Sequence, residues 1–383
     1  MQKNGNNGDD ATMKIMVLTK RHYTGKDLVS DRYGRMWELP RHLALAGHGV
    51  RGLSLSYRNA DEEAIEVEGY EDFHWHSFNL GLIVPAGLLR FWRKINRVAM
   101  DFQPDLIWAG SDVFHIALGA YLAERRGIPF VADFYDNLES FGATRFFPGG
   151  RRLLRWAMGK SAAFSCVSSA LARKIATQTQ ETTKVAVVEN AVDVKQFKPM
   201  DRTDCRRYFS LPTDGYLVGT AGALFANRGI AVLDDACRRL QAQGTPVQLV
   251  VAGPRDAKFQ SPRAGDGFDL GVLPHEDVPK LLNALNAVVV ANLDSEFGRY
   301  CFPVKLYETL ATSVPVAAAR VGAAAEVLAD TSQCLYEPGD EKDLASILQK
   351  QLTNPEMPNL PVPTWGELSA KLERLLQKTL AAS

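Results

Sequence analysis

The feature that most constrains this chain is an alternation of short apolar stretches with amphipathic ones, which starts at Lys14 and runs twice. "KIMVLT" (14–19) reads as a buried strand. "RMWELPRHLALAGH" (35–48) reads as a helix, with Met36, Leu39, Leu43 and Ala46 at helical spacing and Gly47 as its stop. "GVRGLSLS" (49–56) returns as a strand. "PDLIWAG" (104–110), "VFHIALGAYLAERRG" (113–127) and "IPFVADFY" (128–135) continue as strand, helix and strand. The helical "RRLLRWAMGK" (151–160) then leads to "AAFSCVSS" (162–169) and "KVAVVENAVD" (184–193). Strands joined through helices run parallel, so this pattern predicts an α/β fold with a parallel sheet covered by helices.

A second series opens at "YLVGTAGAL" (216–224). It continues through "GIAVLDDACRRLQAQG", "VQLVVAG", "DVPKLLNALN", "AVVVANL", a helix from Pro303 and "VPVAAAR". Between the series lies "DVKQFKPMDRTDCRRYFSLPTDG" (193–215), polar and carrying Pro199 and Pro212, which places the domain junction near 197–215. The expected limits are a disordered lead at 1–12, an N-terminal domain at 13–197 and a C-terminal domain at 198–364. Residues 365–383 form a final helix that packs back towards the first domain. A chain of 383 residues has room for two such cores. Two tandem open sheets bind ligands beyond the carboxyl ends of their strands.

Composition narrows the function classes. The formal net charge is +0, so there is no global attraction to nucleic acid. Five cysteines (Cys166, Cys205, Cys237, Cys301, Cys334) are odd in number and widely spaced, without any C-x-x-C pair. That pattern favours buried free thiols in a reducing compartment over a disulfide scaffold or a zinc site. "MQKNGNNGDDAT" (1–12) has no apolar segment of the signal-peptide kind, and no apolar run approaches the ~18 residues of a membrane span. The reading is a cytoplasmic protein.

One stretch asks for more than packing. In "YCFPVKLYETLATSVPVAAA" (300–319) the apolar residues Val304, Leu306 and Leu310 suffice for a core, yet Lys305 and Glu308 share a face in the first turns. Free N–H groups at a helix that opens on Pro303 favour an anion, and the Lys305 ammonium meets that anion as a point charge. Glu308 is suited to accept two hydroxyl hydrogen bonds, as a ribose offers. The alternative is an exposed Lys305–Glu308 ion pair.

This stretch resembles the C-terminal signature of retaining GT-B glycosyltransferases of family 4, in which a glutamate precedes a small-residue helix end and "PVVA". The resemblance implies that Glu308 holds the nucleotide ribose. It also implies two Rossmann-like domains whose parallel sheets face a deep cleft. The family signature carries two glutamates, and the first position falls on Tyr300; the local pattern is similar to a subgroup written P-x-K-L-x-E. "LFANRGIAVL" (224–233) resembles the family's segment after the first C-terminal strand, where a basic residue reaches the donor diphosphate, and Arg228 matches that position. The family's companion arginine is Ala223 here. "GVLPHEDVPKLLNALNAVVV" (271–290) resembles the loop that receives the base through backbone near Leu273 to His275. "VENAVDVKQFKP" (188–199) is similar to the end of the family's N-terminal domain. "RYGRMWELPRHLALAGHGV" (32–50) is similar to the first loop and helix, where glycine amides approach the transferred phosphate, with Gly34 the matching residue.

"VADFYDNLESFG" (131–142) puts Asp133, Tyr135 and Asp136 just beyond the carboxyl end of a strand. Family members often carry D-x-H-D here, the histidine touching the donor sugar, and Tyr135 takes that place. The structural alternative for Asp136 and Asn137 is a simple turn. The remaining polar residues carry plainer readings. His48 ends the first helix, His115 sits on a helix face, His74 and His76 alternate with aromatics on a half-buried strand, and Asp112 is a helix N-cap first and a substrate contact second.

The function implied is transfer of a sugar from a UDP- or GDP-sugar to an acceptor hydroxyl on a sugar or lipid-linked molecule, with retention and without a metal or cofactor. Arg228 and Lys305 neutralise the leaving diphosphate, and Asp136 orients the acceptor. Family settings are polysaccharide, glycolipid and other glycoconjugate assembly. The alternatives are a nucleotide-sugar-binding protein weakened in catalysis, given Tyr300, Ala223 and Tyr135, and a sugar-nucleotide epimerase of the same fold. No G-x-G-x-x-G follows the first strand, which argues against a Rossmann dehydrogenase. Finally, "LIVPAGLLRFWRKINRVAM" (82–100) sets Leu88, Leu89, Trp92 and Ile95 on one side among Arg90, Arg93, Lys94 and Arg97. Either this stripe lies in an anionic membrane surface, with 151–160 as a second patch, or it packs onto the sheet as an ordinary covering helix.

Overall fold

In the computed structural model, Lys14–Lys20 (β1) forms the middle of a sheet and is buried from Ile15 to Thr19. The structure describes residues 12–23, 26–58, 62–66, 72–140, 144, 148–262 and 265–383; the lead expected at 1–12 lies almost wholly outside them. The chain divides into two units. The first comprises Met1–Val167, Leu171–Val188 and Trp365–Ser383, and the second Ser168–Ala170 and Glu189–Thr364.

In the first unit β1 is followed by a hairpin of His22–Tyr23 (β2) and Lys26–Asp27 (β3), then by helix α1 (Arg35–Leu45) and strand β4 (Gly49–Ser56). Strands β5 (Glu63–Glu66) and β6 (Phe73–Asn79), helix α2 (Val84–Phe102), β7 (Leu106–Ala109), α3 (Val113–Arg126) and β8 (Phe130–Phe134) come next. Helix α4 (Gly150–Lys160), β9 (Ala163–Cys166), α5 (Ser169–Thr179) and β10 (Val185–Val187) complete the series. The sheet order is β10-β9-β8-β7-β1-β4-β6-β5, parallel except for β5 against β6. Strands covered on both faces need continuous apolar runs, and β7 and β8 are buried at every residue. On β6 the alternation is visible: Phe73, Trp75 and Ser77 are buried while His74 and His76 are half-buried.

The second unit continues with α6 (Arg202–Tyr208), β11 (Tyr216–Ala221), α7 (Ile230–Ala242), β12 (Val247–Ala252), β13 (Gly267–Asp269) and α8 (Val278–Ala284). It ends with β14 (Ala287–Val290), α9 (Glu296–Tyr300), α10 (Val304–Thr312), β15 (Val316–Ala319), α11 (Gly322–Val327), β16 (Leu335–Tyr336) and α12 (Glu341–Thr353). All pairs in the order β13-β12-β11-β14-β15-β16 are parallel. Leu233, Cys237 and Leu240 of α7 pack with Leu344 and Leu348 of α12 over β11, β12 and β14. The small residues of "VAAA" in β15 are fully buried, which lets helices close on both sides.

The final helix α13 (Trp365–Ala381) belongs to the first unit. It buries Leu368, Leu372 and Leu376 against α1, with Ser369 Oγ donating to the Leu39 carbonyl at 3.2 Å. His48, just past α1, accepts from the Met13 amide at Nδ1 (3.1 Å) and meets Glu373 Oε1 at Nε2 (3.0 Å). That residue therefore ties strand, helix and C-terminal helix together, beyond ending α1.

Helix α2 separates the two readings of 82–100. Phe91, Ile95, Val98 and Phe102 are buried, so the stripe that includes Ile95 is core; Leu88 and Trp92 are half-buried, Trp92 with its ring 5.3 Å from that of Tyr121. The tip stays open, as does Met100 near the far end, 66 % exposed. Leu82 is fully exposed, Ile83 is 71 % exposed, and Val84 and Leu89 are about half exposed. Among the described residues no helix is long and apolar enough to cross a membrane.

Candidate functional site

In the second unit the polar residues gather where β11 and β12 end. Pro303 is the N-cap of α10, one place before the first helical residue, and no side chain caps that end. From the first turn Lys305 reaches back to the sheet, where Nζ donates to Thr220 Oγ1 on β11 at 2.9 Å. Gly222 follows β11 with φ +109, and a Cβ there would stand 3.4 Å from the Lys305 Nζ. Gly253 follows β12 with φ +138, and a Cβ on it would meet the Gly222 carbonyl oxygen at 2.0 Å. Both glycines take a positive φ that other residues rarely adopt, and the backbone of Gly222 comes close to the ammonium.

Lys305 and Glu308 keep part of their surface open, yet protein encloses their charged ends. Burial brings Lys305 down to about 8, with the Glu308 charge opposing and the Arg228 charge adding to the fall. Burial pushes Glu308 up to about 7 against the pull of Lys305. Lys305 donates to Thr220 rather than to Glu308, so the exposed-ion-pair alternative does not describe this pair. Two poorly solvated charges of opposite sign, one turn apart, are an arrangement that a ligand with an anionic part and hydroxyls would relieve.

Arg228 closes a short 3₁₀ turn (Ala226–Arg228) ahead of α7, and its guanidinium lies 3.5 Å from the centre of the Phe297 ring. Asp256 Oδ2 accepts from the Ala226 amide at 2.9 Å and fixes that turn. Leu273 and His275 precede α8. The His275 carbonyl accepts from Gln196 Nε2 at 3.2 Å, and its ring lies 5.6 Å from that of Phe197. Tyr300 is the last residue of α9 and is half-buried. Lys305, Glu308 and Arg228 thus form one electrostatic group, while Leu273 and His275 lie on the segment before α8 and Tyr300 ends α9 in the same unit.

In the first unit Gly34 is the N-cap of α1 at φ 84, a conformation that favours glycine. Next to it Arg35 is fully buried and grips Asp133 with two bonds, Nε to Oδ2 at 3.1 Å and Nη2 to Oδ1 at 2.7 Å. Arg35 also donates to the Val188 carbonyl, and Ser165 Oγ donates to Asp133 at 2.6 Å. Asp133 is therefore inside β8 as a structural anchor, and the strand-end reading of it is corrected. Tyr135 and Asp136 do follow the strand, both mostly buried. Lys20 Nζ donates to the Tyr135 hydroxyl at 3.1 Å, and Asp136 Oδ1 accepts the Asn137 amide at 2.7 Å.

Sequence reasoning missed Lys20, although its place at the end of the central strand was a usable signal. It also missed Tyr57, just after β4, whose hydroxyl donates to Asp112 Oδ2 at 2.9 Å. Asp112 is the N-cap of α3, as expected, accepting the His115 amide at 3.0 Å and the His115 Nδ1 proton at 2.8 Å. Burial works against the Asp112 charge, but His115 and Lys20 outweigh it and hold the carboxyl below its ordinary range. Burial lowers Lys20, while Asp112 and Asp136 resist that fall. His115 lies on a face of α3, as expected, and that face is fully buried. Thr220 carried no sequence signal at all.

Two family profiles match the chain. Glycosyltransferase Family 4 covers residues 35–196 and Glycosyl transferases group 1 covers residues 215–354. Among curated proteins, a 2-deoxystreptamine glucosyltransferase of Streptomyces kanamyceticus is 25% identical over 233 residues, 58% of this chain and 57% of the relative. A D-inositol 3-phosphate glycosyltransferase of Stackebrandtia nassauensis is 30% identical over 189 residues, 45% of this chain and 41% of the relative. The chain spans about half the length of these curated relatives. Among solved structures, Anabaena HepE in complex with UDP has a TM-score of 0.69 at 18% identity, covering 97% of this chain and 100% of that one. Sucrose-phosphate synthase from Thermosynechococcus elongatus has a TM-score of 0.70 at 17% identity, covering 96% and 94%. These likenesses establish a GT-B fold of two Rossmann-like domains with parallel sheets.

Proposed function

Because this chain belongs to the glycosyltransferases of the family 4 and group 1 type, we propose that it transfers a sugar from a nucleoside diphosphate sugar, UDP- or GDP-linked, to an acceptor hydroxyl. The observation that carries this reading is the buried Lys305–Glu308 pair at the end of β11, one turn apart, beside the backbone of Gly222. In the second unit the Lys305 ammonium and the Arg228 guanidinium hold the diphosphate, and the Glu308 carboxylate accepts the ribose hydroxyls. Backbone near Leu273 and His275 receives the base, and Tyr300 lies beside the donor. As the leaving diphosphate gains negative charge, these two cations stabilise it without a metal ion. In the first unit Gly34 and the start of α1 approach the transferred phosphate, while Tyr135 and Asp136 orient the sugar and the acceptor. Retention follows when the departing phosphate oxygen takes the acceptor's proton on the face the leaving group vacates, so no nucleophilic carboxylate is required.

The deciding experiment is incubation with a panel of UDP- and GDP-sugars in the presence of EDTA, following release of free nucleoside diphosphate, together with calorimetry of UDP and GDP. Turnover that survives EDTA and disappears in Glu308→Ala supports the assignment. Binding without any turnover on the panel supports instead a nucleotide-sugar-binding protein.

The open tip of α2 favours a peripheral membrane contact as part of this function. Leu82, Ile83, Val84 and Leu89 are exposed ahead of the basic Arg90, Arg93 and Arg97, and α4 exposes Leu153 and Trp156 between Arg151, Arg152 and Arg155. Such a surface suits a lipid-linked acceptor at the cytoplasmic face of a membrane. Co-sedimentation with anionic vesicles tests it. Binding should weaken with salt and with Ile83→Asp, and indifference to both rejects the contact.

A further inference from the structure

Tyr57, Tyr121, Trp156 and Tyr208 are aromatic side chains that keep more than a third of their surface exposed among the described residues. Tyr121 and Trp156 lie on helices α3 and α4, and Tyr208 ends α6 with its ring against Phe209 and Lys280. Tyr57 differs in position and in restraint. It follows β4 directly, at the same sheet edge as Lys20, Asp112, Tyr135 and Asp136. Tyr57 is 48% exposed, and its hydroxyl donates to Asp112 Oδ2 at 2.9 Å. Behind it the His115 ring lies with its centre 6.1 Å away, tilted by 60°. His115 is itself fixed by two hydrogen bonds to the same Asp112 carboxylate. The two flanking residues are tied to each other, since Ser56 Oγ donates to the Arg58 carbonyl at 2.6 Å.

An open aromatic ring that is clamped at its far end and backed by a second ring cannot turn away into the protein. It offers one apolar face whose orientation is already set, so a ligand loses little freedom of the protein when it lands there. The proton of Tyr57 is committed to Asp112, and both burial and the Asp112 charge keep the phenol protonated. The ring therefore acts through its face and not as an acid or base. Beside it Lys20, Asp112 and Asp136 bring one cation and two carboxylates to the strand ends, groups that bond hydroxyls. A rigid apolar face bordered by hydroxyl-binding groups matches a ring polyol, which has C–H bonds on one face and hydroxyls at its rim.

We propose that Tyr57, clamped by Asp112, is the platform on which the ring of a sugar or cyclitol acceptor stacks. This rests on the reading of the chain as a glycosyltransferase and names its acceptor as a six-membered ring polyol, in place of an open-chain alcohol. Tyr57 determines specificity through its face, and Asp112 is a positioning residue.

The test is saturation-transfer NMR on the intact protein with methyl α-glucopyranoside and myo-inositol as ring probes and mannitol as the open-chain control. The wild type should transfer saturation to the C–H protons of at least one ring probe and several-fold less to mannitol. Tyr57→Leu, which keeps bulk without an aromatic face, should cut the ring-probe signal at least fivefold. Tyr57→Trp should retain it, and Tyr57→Phe should lose less than Tyr57→Leu because the ring remains without its clamp. Melting temperatures within a few degrees of wild type confirm that each variant is folded. Equal signals from mannitol and the ring probes, no signal from either ring probe, or an unchanged signal in Tyr57→Leu overturns the proposal. Calorimetry with UDP and GDP on the same samples reads the nucleotide site alone. Its failure would reject the glycosyltransferase reading without touching the Tyr57 result, and intact nucleotide binding in Tyr57→Leu shows that the loss is local.

Discussion

Replacing Lys305 by methionine separates what that residue costs the fold from what it does for a ligand. Burial lowers its pKa from the ordinary 10.5 to about 8, which corresponds to about 3 kcal/mol spent on keeping the ammonium charged at pH 7. Methionine fills a similar volume without charge, but it leaves the Thr220 hydroxyl, buried at 1% exposure, without its donor. That loss returns about 1 kcal/mol. The net expectation is a second unit more stable by about 2 kcal/mol, or about 4–8 °C in melting temperature for a unit of this size. The gain must depend on pH. Below about 8 the ammonium is charged in both the folded and the unfolded chain, and the whole cost is present. Between about 8 and 10.5 the folded chain gives up the proton while the unfolded chain keeps it, so the cost fades and the variant's advantage shrinks. Nucleoside diphosphate binding should move the other way, falling about ten- to a hundredfold for one lost charged hydrogen bond. Scanning calorimetry at pH 7 and pH 10, with and without UDP, measures both. A variant that melts lower than wild type at pH 7, or whose advantage is the same at both pH values, would refute the reasoning that Lys305 is a buried cation held for a ligand.

Glu308→Gln should weaken UDP or GDP binding about ten- to a hundredfold, measured by calorimetry, because a carboxylate accepting hydroxyls is exchanged for a neutral amide, while the melting temperature at pH 7 should not fall, since the burial that raises Glu308 to about 7 no longer acts on a charge. In the wild type, affinity for nucleoside diphosphate should peak between about pH 7 and 8: it rises as Glu308 ionises near 7 and falls as Lys305 loses its proton near 8. A flat profile from pH 6 to 9.5 counts against both assignments. Arg228→Ala should weaken UDP far more than uridine, whereas equal losses would indicate a general defect of the turn. Arg35→Met strands the buried Asp133 carboxylate and should destabilise the first unit by about 3–5 kcal/mol in chemical denaturation. The double change Arg35→Met with Asp133→Leu should recover part of that loss.

The sequence by itself determined the architecture, because a strand covered on both faces and a helix covering it leave different periods in the chain. "KIMVLTK" and "AVVV" were legible as strands for that reason. It also determined that Lys305 and Glu308 share a face, since three residues along a helix is a local relation. What each polar group touches was decided only by the tertiary structure. Asp133 and Asp136 stand three residues apart around the end of one strand and look alike in the sequence. Arg35, 98 residues away, makes the first a buried anchor, while the second stays at the sheet edge. Lys305 meets Thr220 across 85 residues, and Tyr57 meets Asp112 across 55, so neither pairing has a local signature. The basic stripe of α2 was visible, but which side the sheet would cover depended on the helix's rotation against β4 and β6. Periodicity records whether a residue is covered; it carries nothing about which distant group does the covering, and the chemistry of a site depends on that.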